Sequence, residues 1–272
     1  MTKEIFAPEK CPNCGKTTVV EHYQTGWRVV CPCGYYGVFH FDKDDKKEVS
    51  LITLCVDMPE VTKKCLELVK RYTPDVYEQI IVCDRPSIEM QDWLSQIGKD
   101  GVKVITNPEL VGVPTALNQG IKVAQGKYIA LVNNDITVTE GWFEPLMEAL
   151  KAHPEYGWVA SKILRGSVTM NWGVISSTLF LKEAMDKVGP FDERFSQGIG
   201  WEDNDYLLRF WLCGYKPHGV HKSTVYHPPE AVTLKAVHGD TMAEKYTRNQ
   251  KLFVEKWGPD VMQIDWTDVP YD

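Results

Sequence analysis

The feature that most constrains the fold is an alternation of apolar, β-branched segments with amphipathic segments. Val49–Val56 is an apolar run typical of a strand buried on both faces, and Val61, Cys65 and Leu68 then recur at helical spacing. The same pattern predicts further strands over 79–83, 102–106 and 127–132 and further helices over 87–97 and 114–125. Repeated units of this kind predict an α/β fold with a mostly parallel sheet flanked by helices.

Four of the eight cysteines are clustered near the N-terminus, in the knuckles Cys-Pro-Asn-Cys-Gly and Cys-Pro-Cys-Gly. These four are Cys11, Cys14, Cys31 and Cys33. Two such knuckles can hold one zinc ion tetrahedrally, with sulfur ligands at about 2.3 Å. The residues between Thr17 and Val30 favour a hairpin, so the segment is predicted to be a zinc ribbon with a structural Zn²⁺. A disulfide pair and a catalytic zinc are the alternatives, but four thiolates leave no open position for a substrate.

A run of seven charged residues, 42–48, follows the cysteine segment. Such a run is typical of a solvated connector, which predicts three parts: a ribbon over 1–41, a linker over 42–48 and a main domain over 49–272. The ribbon is interpreted as a separable module that selects a partner. The alternative is that it packs on the main domain as a stabilising brace.

Charge and absent motifs exclude several classes of function. The formal net charge of −7 argues against a generic binder of the nucleic-acid backbone. No stretch approaches the roughly 20 apolar residues of a membrane span, and the first residues lack the apolar core of a signal peptide, so a cytoplasmic location is expected. The glycine motifs of dinucleotide-binding, P-loop and serine-hydrolase enzymes do not occur in their required places.

Four motifs follow one another in the main domain. They are Asn-Pro-Glu-Leu-Val-Gly-Val-Pro-Thr-Ala-Leu-Asn at 107–118, Ala-Leu-Val-Asn-Asn-Asp at 130–135, Val-Gly-Pro-Phe-Asp-Glu-Arg-Phe at 188–195 with Gly-Trp-Glu-Asp-Asn-Asp at 200–205, and His227 with Arg-Asn at 248–249 and Lys-Trp-Gly at 256–258. This ordered set resembles the family-2 glycosyltransferases of GT-A fold over about Val49 to Gly258. The resemblance implies an inverting, metal-dependent transfer of a sugar from a nucleoside-diphosphate donor to an acceptor hydroxyl.

The resemblance also implies a metal site at the donor diphosphate. Asn133-Asn134-Asp135 is similar to the family's Asp-x-Asp with Asn in the first place, so Asp135 is the expected ligand of Mg²⁺ or Mn²⁺, ions that prefer oxygen. His227 is expected to complete the metal shell. With a single carboxylate, the donor phosphates must supply further ligands. The alternatives are an ordinary Asn-Asp turn after a strand and a histidine packed at a strand end.

Further donor-binding residues come from the same resemblance. Asp84 stands where the family has an Asp that accepts a hydrogen bond from a pyrimidine ring, which favours a UDP- or dTDP-type donor. The other predicted donor-binding residues are Thr53, Asp57, Asn118, Asn133, Asn134 and Arg248. Thr53 and Asp57 are expected to flank the base, and Arg248 to reach the diphosphate. Ordinary turn carboxylates and a surface arginine remain the alternative interpretations.

The acceptor side is predicted from the Trp-Glu-Asp motif. The resemblance implies that Asp203 is the catalytic base, with Glu202 beside it to orient or bind the acceptor, and Trp201 could stack on the acceptor. First-turn carboxylates are also favoured by the helix dipole alone, which is the structural alternative. The acceptor is a glycan, a protein or a nucleic acid, with the first two favoured over DNA. The competing functions are a non-catalytic binding module on the same fold and a nucleotidyltransferase.

Overall fold

The computed structural model describes residues 16, 19–23, 26–31, 33, 36–40, 47–75, 77–170, 175–228, 232–264, 266 and 270. The strands within them are β1 (Val19–Tyr23), β2 (Gly26–Val30), β3 (Tyr36–His40), β4 (Val49–Val56), β5 (Tyr77–Asp84), β6 (Lys103–Asn107), β7 (Tyr128–Val132), β8 (Thr137–Val138), β9 (Trp158–Arg165), β10 (Val168–Met170), β11 (Ser177–Leu181) and β12 (His218–Tyr226). The α-helices are α1 (Pro59–Tyr72), α2 (Ile88–Lys99), α3 (Val113–Val123), α4 (Glu144–Ala152), α5 (Lys182–Val188), α6 (Glu202–Leu212), α7 (Val232–His238) and α8 (Met242–Trp257). Short 3₁₀ segments occur at Pro154–Tyr156, Glu193–Gln197, Gly239–Thr241 and Pro259–Gln263.

The strands form one mixed sheet in the order β1-β2-β3-β6-β5-β4-β7-β11-β9-β12-β8, with β10 paired to β9. Its centre is parallel, since β4 pairs in parallel with β5 and β7, and β5 with β6. Strand β11 runs antiparallel to both β7 and β9. The predicted α/β fold with flanking helices is therefore confirmed, whereas the sheet is mixed. The direction of β11 could not be predicted because its five buried residues have the same pattern in either orientation.

The helices that pack on this sheet each bury one stripe of side chains. In α1 the stripe is Thr62, Cys65 and Val69, and the helix begins with a proline, whose missing N–H is not needed in a first turn. All five side chains of β7 are buried, which fixes the strand that leads to Asn133 and Asp135. In the described part of the chain, no helix has the length and apolar character required to cross a membrane.

An aromatic cluster holds α6 against the sheet. Trp158 of β9 and Phe180 of β11 have ring centroids 4.9 Å apart, and Phe210 of α6 lies 5.7 Å from Trp158. Tyr206, one turn earlier on α6, lies 5.2 Å from Phe210, and all four rings are buried. Aromatic pairs at these distances stabilise beyond the area they bury. Because this packing fixes α6, it also fixes the acidic residues of its first turn.

The N-terminal strands continue the main sheet. Strands β1 and β2 pair with Tyr23 opposite Gly26, which confirms the predicted hairpin. Strand β3 then pairs antiparallel with β6, with Gly37 opposite Ile105. Strand β3 therefore belongs to the same sheet as the strands of the main domain. Cys11 and Cys14 lie outside the described residues, so the zinc ribbon and the boundaries at 1–41 and 42–48 stay predictions.

Candidate active site

The loops that follow β4, β5, β6 and β7 meet at one edge of the parallel part of the sheet, which is where α/β sheets bind ligands. Backbone strain is concentrated around this edge. Among the described residues, positive φ outside glycine occurs at Asp57 (47°), Met58 (57°), Arg85 (45°) and Trp201 (71°). The first three lie in loops after β4 and β5, and the fourth precedes α6. Strained residues cost about 1–3 kcal/mol each and cluster at functional sites, so this edge is the candidate active site.

Asp84 is buried at the end of β5 and organises the neighbouring loop. Its Oδ1 accepts from Asn107 Nδ2 at 2.8 Å, and its Oδ2 accepts from the N–H groups of Val111 at 2.9 Å and Gly112 at 3.3 Å. Burial raises the pKa of Asp84, and these hydrogen bonds together with the charge of Arg85 oppose the rise. The carboxylate therefore fixes the loop before α3. Gly112 has φ of 85°, and a Cβ there would overlap the Ser196 backbone, so only glycine fits.

Asp57 lies in the loop that follows β4, whereas Thr53 lies inside that strand. Asp57 Oδ1 accepts from the Ser87 hydroxyl at 2.7 Å and from the Ser87 N–H at 3.2 Å, which joins the β4 loop to the start of α2. Asp57 and Asp84 thus lie in adjacent loops of the site. Thr53 is fully buried within β4 and accepts from Gln79 Nε2 at 3.3 Å. It lies three residues before the strand ends, so the structure does not bring it to the strand end beside Asp57.

Asp135 and His227 are brought together from loops 92 residues apart in sequence. Asp135 Oδ1 lies 3.6 Å from His227 Nε2, and both side chains are largely buried. His227 Nδ1 lies 2.9 Å from the carbonyl oxygen of Pro228, which can only accept. In the neutral ring Nδ1 therefore carries the proton and Nε2 presents a lone pair to Asp135. Metal-binding histidines are usually oriented by such a bond from their second nitrogen.

The two asparagines before Asp135 have structural partners. Asn134 is buried and donates from Nδ2 to Thr62 Oγ1 of α1 at 3.1 Å, and Asn133 Nδ2 donates to Ser176 Oγ at 3.3 Å. Thr233 of α7 donates to Asp135 Oδ2 at 3.3 Å. No group of three or more His, Cys, Asp or Glu side chains in the described part of the chain is arranged to hold a metal. A metal bound by Asp135 and His227 would take its other ligands from another source.

Glu202 and Asp203 form a pair of half-buried carboxylates in the first turn of α6. Burial raises the pKa of Glu202 to about 8, and repulsion by Asp203 adds to the rise. Burial also raises the pKa of Asp203, against the opposing effect of the Asn204 N–H, which donates to its Oδ1 at 2.9 Å. No Lys, Arg or His among the described residues forms an ion pair with either carboxylate. Carboxyl groups whose pKa is raised in this way are typical of sites of proton transfer.

Asp205, on the same helix, has a full set of partners. It is completely buried and meets Lys256 Nζ at 2.6 Å, Arg209 Nε at 3.0 Å and Trp257 Nε1 at 2.8 Å. Lys256 also contacts Asp192 at 2.8 Å. This network ties the end of α8 to the middle of the acidic motif, which makes Asp205 a structural residue.

Two other predicted donor-binding residues contact the chain itself. Asn118 of α3 donates to the Phe191 carbonyl at 3.0 Å and accepts from the Phe191 N–H at 2.9 Å. Exposed Arg248 donates to the Arg194 carbonyl at 3.2 Å and to Gln197 Oε1 at 3.1 Å. Both side chains therefore position the segment that precedes α6, and neither contacts Asp135 in the structure.

Trp201 is nearly covered by its neighbours. Its side chain is 7% exposed, and its ring lies 5.0 Å from Phe253 and 5.8 Å from Tyr246, centroid to centroid. Its buried Nε1 has no hydrogen-bond partner in the described part of the chain. Tyr246 remains 48% exposed. The exposed aromatic surface beside Trp201 is therefore that of Tyr246.

One positioning residue, Asn249, was assigned no role from the sequence. It is fully buried on α8 and donates from Nδ2 to the carbonyls of Phe195 at 2.9 Å and Gly200 at 2.8 Å. A Cβ at Gly198 would overlap the Asn249 amide, so the glycine allows this close approach. The loop before the acidic pair is thus fastened to a helix about 50 residues later. Only the Arg-Asn dipeptide of the last motif could have indicated this contact.

Comparison with known proteins identifies the family to which the chain belongs. The family model described as Glycosyl transferase family 2 matches residues 50–207. A Drosophila melanogaster protein named "Putative polypeptide N-acetylgalactosaminyltransferase 13" is 26% identical over 253 residues, which cover 71% of this chain and 44% of that protein. "N-acetylgalactosaminyltransferase 4" of the same species is 28% identical over 94 residues, covering 32% of this chain and 15% of its own length. The chain therefore spans less than half the length of these relatives.

Proposed function

Because this chain is a glycosyltransferase of glycosyl transferase family 2, we propose that it transfers a sugar from a nucleoside-diphosphate donor to an acceptor hydroxyl. The transfer inverts the configuration of the sugar's anomeric carbon and requires a divalent metal. The observation that carries the proposal is the approach of Asp135 Oδ1 to His227 Nε2 at 3.6 Å, with the second ring nitrogen of His227 directed to a carbonyl. The pair lies at the same edge of the sheet as Asp84.

The donor set fits Mg²⁺ or Mn²⁺. One carboxylate oxygen and one imidazole nitrogen 3.6 Å apart can both reach a single ion through bonds of about 2.1 Å. When bound, such an ion neutralises charge on the departing diphosphate, an effect worth several kcal/mol. Asp135 and His227 would hold the ion, and the donor phosphates would complete its shell. Thr233 already donates to the second oxygen of Asp135, which fixes the orientation of that carboxylate.

The Glu202–Asp203 pair supplies the proton chemistry in this proposal. Asp203 accepts the proton of the acceptor hydroxyl while the acceptor oxygen bonds to the anomeric carbon. The bond from that carbon to the diphosphate oxygen breaks, and its electron pair leaves with the nucleoside diphosphate. Because this is a single displacement, no nucleophile of the enzyme takes part. Glu202, whose raised pKa keeps it mostly protonated at neutral pH, can donate a hydrogen bond to the acceptor.

The donor and acceptor are proposed by class. Asp84, with Asp57 in the adjacent loop, supports a pyrimidine nucleotide of the UDP or dTDP type. The names of the relatives add N-acetylgalactosamine as the first sugar to test, and the word polypeptide in one of them adds protein as the first acceptor. A glycan and a nucleic acid are the other acceptors to test. The four cysteines near the N-terminus are proposed to hold a structural zinc ion.

The decisive experiment measures nucleotide release from UDP-N-acetylgalactosamine, UDP-N-acetylglucosamine, UDP-glucose and dTDP-glucose, each with and without Mn²⁺. We expect Mn²⁺-dependent release from at least one donor and a loss of most activity in Asp135→Ala. Asp240→Asn, an exposed carboxylate outside the site, is the matched control and should keep full activity. Undiminished turnover after removal of divalent ions would contradict metal dependence. Absence of release from every donor would contradict the proposed donor class.

The configuration of the product distinguishes the proposed inverting displacement from a transfer that retains the configuration of the donor. With an α-linked donor, the proposal requires a β-linked product, which proton NMR of the anomeric centre can identify. A product that retains the α-configuration would contradict the inverting mechanism and the role of Asp203, while leaving the transferase activity established.

A further inference from the structure

Cys31 of the N-terminal segment is buried against the main domain. It is 2% exposed and lies in one cluster with Val82 of β5, Ile105 of β6 and Ala116 of α3. Cys33, which is partly buried, packs against the same cluster. We refer to Cys31 and Cys33 as the inner knuckle. Its buried neighbours thus come from three elements of the main domain.

The inner knuckle lies on the face of the sheet that carries Asp84. Val82 and Ile105 are register partners of β5 and β6, and the pair two residues further along is Asp84 with Asn107. Because side chains two residues apart point to the same face of a strand, both pairs lie on the face that Cys31 covers. Two residues of a strand span about 7 Å, so the knuckle packs close to the buried carboxylate.

The loop that Asp84 orders also packs on this cluster. The Val111 N–H donates to Asp84 Oδ2 at 2.9 Å, while its side chain packs against the cluster that contains Cys31. Asn107 Nδ2 donates to Asp84 Oδ1 at 2.8 Å and to Gln119 Oε1 of α3 at 2.9 Å. The inner knuckle therefore packs beneath both structures that fix the carboxylate, the Val111 loop and α3.

The strands on either side of the inner knuckle fasten it to the main sheet. Cys31 directly follows Val30, which lies opposite Tyr36 in the pairing of β2 with β3. Tyr36 in turn lies opposite Thr106, the residue before Asn107. Protein interiors contain few voids and transmit small displacements. A change in the packing of Cys31 should therefore reach the loop that holds Asp84.

We propose that the inner knuckle positions the base end of the donor site and that Cys31 is the residue through which it acts. The inference rests on the proposed function, in which Asp84 receives the base of the nucleoside diphosphate. Cys31 is a positioning residue here, since it acts through the Val111 loop and α3 and not on the donor itself. The N-terminal segment is then part of the donor site, in contrast to the separable partner-selecting module expected from the sequence.

The test compares UDP with inorganic pyrophosphate in calorimetric titrations, because UDP carries a base and pyrophosphate does not. The variants are Cys31→Ala, Val111→Ala and the two combined, and Cys213→Ala is the matched control because it removes a thiol outside the cluster. Val111→Ala keeps every cysteine and the backbone N–H that Asp84 accepts, so it tests the packing when Cys31→Ala does not fold.

The wild type should bind UDP more tightly than pyrophosphate. Each single variant should bind UDP about fivefold more weakly, since small displacements of positioning groups are costly, and should bind pyrophosphate within about twofold of the wild type. The combined variant should lose no more than about fivefold, because both changes remove the same packing. Cys213→Ala should bind both probes as the wild type does.

Several results would overturn the inference. Unchanged UDP affinity in both single variants would show that the inner knuckle does not position the base end, and nucleotide release from a sugar donor would still leave the proposed function intact. Equal losses for UDP and pyrophosphate would indicate general damage to the fold, and a combined loss of about 25-fold would show independent effects. A wild type that binds UDP no better than pyrophosphate would leave no base affinity to position. Conversely, a selective loss of UDP affinity in a protein that releases nucleotide from no sugar donor would contradict the proposed function and keep the role of Cys31.

Discussion

Two acidic positions of α6, Asp203 and Asp205, lie in opposite environments. Asp205 is completely buried and accepts from Lys256, Arg209 and Trp257. Asp203, two residues earlier, accepts from the N–H of Asn204 and forms no ion pair with a described residue. The sequence Glu-Asp-Asn-Asp gives no sign of this difference, because every acidic position in a first turn is favoured by the helix dipole.

The difference separates carboxylates that stabilise the fold from carboxylates available for chemistry. Removing a carboxylate from water costs several kcal/mol unless cations and donors offset the loss. Cations and hydrogen-bond donors surround Asp205 and offset this cost. At Glu202 and Asp203 the cost of burial is seen as a raised pKa of each carboxyl group. Perturbed, unpaired acids at the edge of a cleft are typical of functional sites. Substitutions of the two kinds of carboxylate, and of their partners, should therefore have different effects.

The largest effect is expected for Asp203→Asn. The amide cannot accept the acceptor's proton, so turnover should fall by about 10²–10⁴-fold while UDP affinity stays within about twofold. Initial rates at saturating donor, together with UDP titrations, provide the measurement. Weak donor binding combined with normal turnover at saturation would make Asp203 a binding residue.

Lys256→Met should mainly affect stability. It removes the cation that Asp205 and Asp192 share and leaves Asp205 partly uncompensated, which costs about 3–5 kcal/mol. Urea denaturation measures the change in the free energy of unfolding. Turnover per folded molecule at low temperature should stay within a few fold of the wild type. A variant as stable as the wild type would contradict the structural role of the network.

Glu202→Gln tests the acidic pair through pH. The folded pKa of about 8 lies above the ordinary value of 4.5, so the folded state binds a proton more tightly than the unfolded state. Stability from this group is therefore present below pH 4.5 and is lost as pH rises towards 8. The glutamine variant should be about 4 kcal/mol more stable than the wild type at pH 8 and within about 1 kcal/mol at pH 5. An equal difference at both pH values would contradict a raised pKa.

The smallest effect is expected for Arg248→Gln. Arg248 is exposed and donates to the Arg194 carbonyl and Gln197, so its loss should change the free energy of unfolding by about 0.5 kcal/mol or less. UDP affinity should stay within about twofold, which isothermal titration can measure. A tenfold loss of UDP affinity would show instead that Arg248 binds the diphosphate, as the sequence predicted.

Much of the fold could be predicted because its signals are local. The strand at Val49–Val56 coincides with the predicted run, and the hairpin before it was also predicted. Asp135 and His227 were predicted as partners through a resemblance, and the structure places them 3.6 Å apart. Loops at the ends of parallel strands converge whatever their separation in sequence, which is why residue type after a strand is informative.

The remaining features depend on contacts that are distant in sequence. Asn249 fastens Gly200 across 49 residues, and Lys245 reaches His238 across a helix boundary, without a periodic pattern that would reveal either contact. Thr53 was assigned to the base pocket through the resemblance, whereas its burial and its contact with Gln79 depend on the neighbouring strand β5. Trp201 could equally have been exposed, since its burial depends on the packing of Phe253 from α8.

The most direct test of the account is a side-by-side measurement of unfolding free energies for Asp203→Asn and Asp205→Asn at pH 8. Each change replaces a carboxylate by its isosteric amide on the same helix. We expect opposite results: Asp203→Asn should equal or exceed the wild type in stability, and Asp205→Asn should lose about 3 kcal/mol or more because Lys256 and Arg209 lose their buried counter-charge. Equal losses in the two variants, or a larger loss for Asp203→Asn, would contradict the distinction between the paired and the unpaired acid.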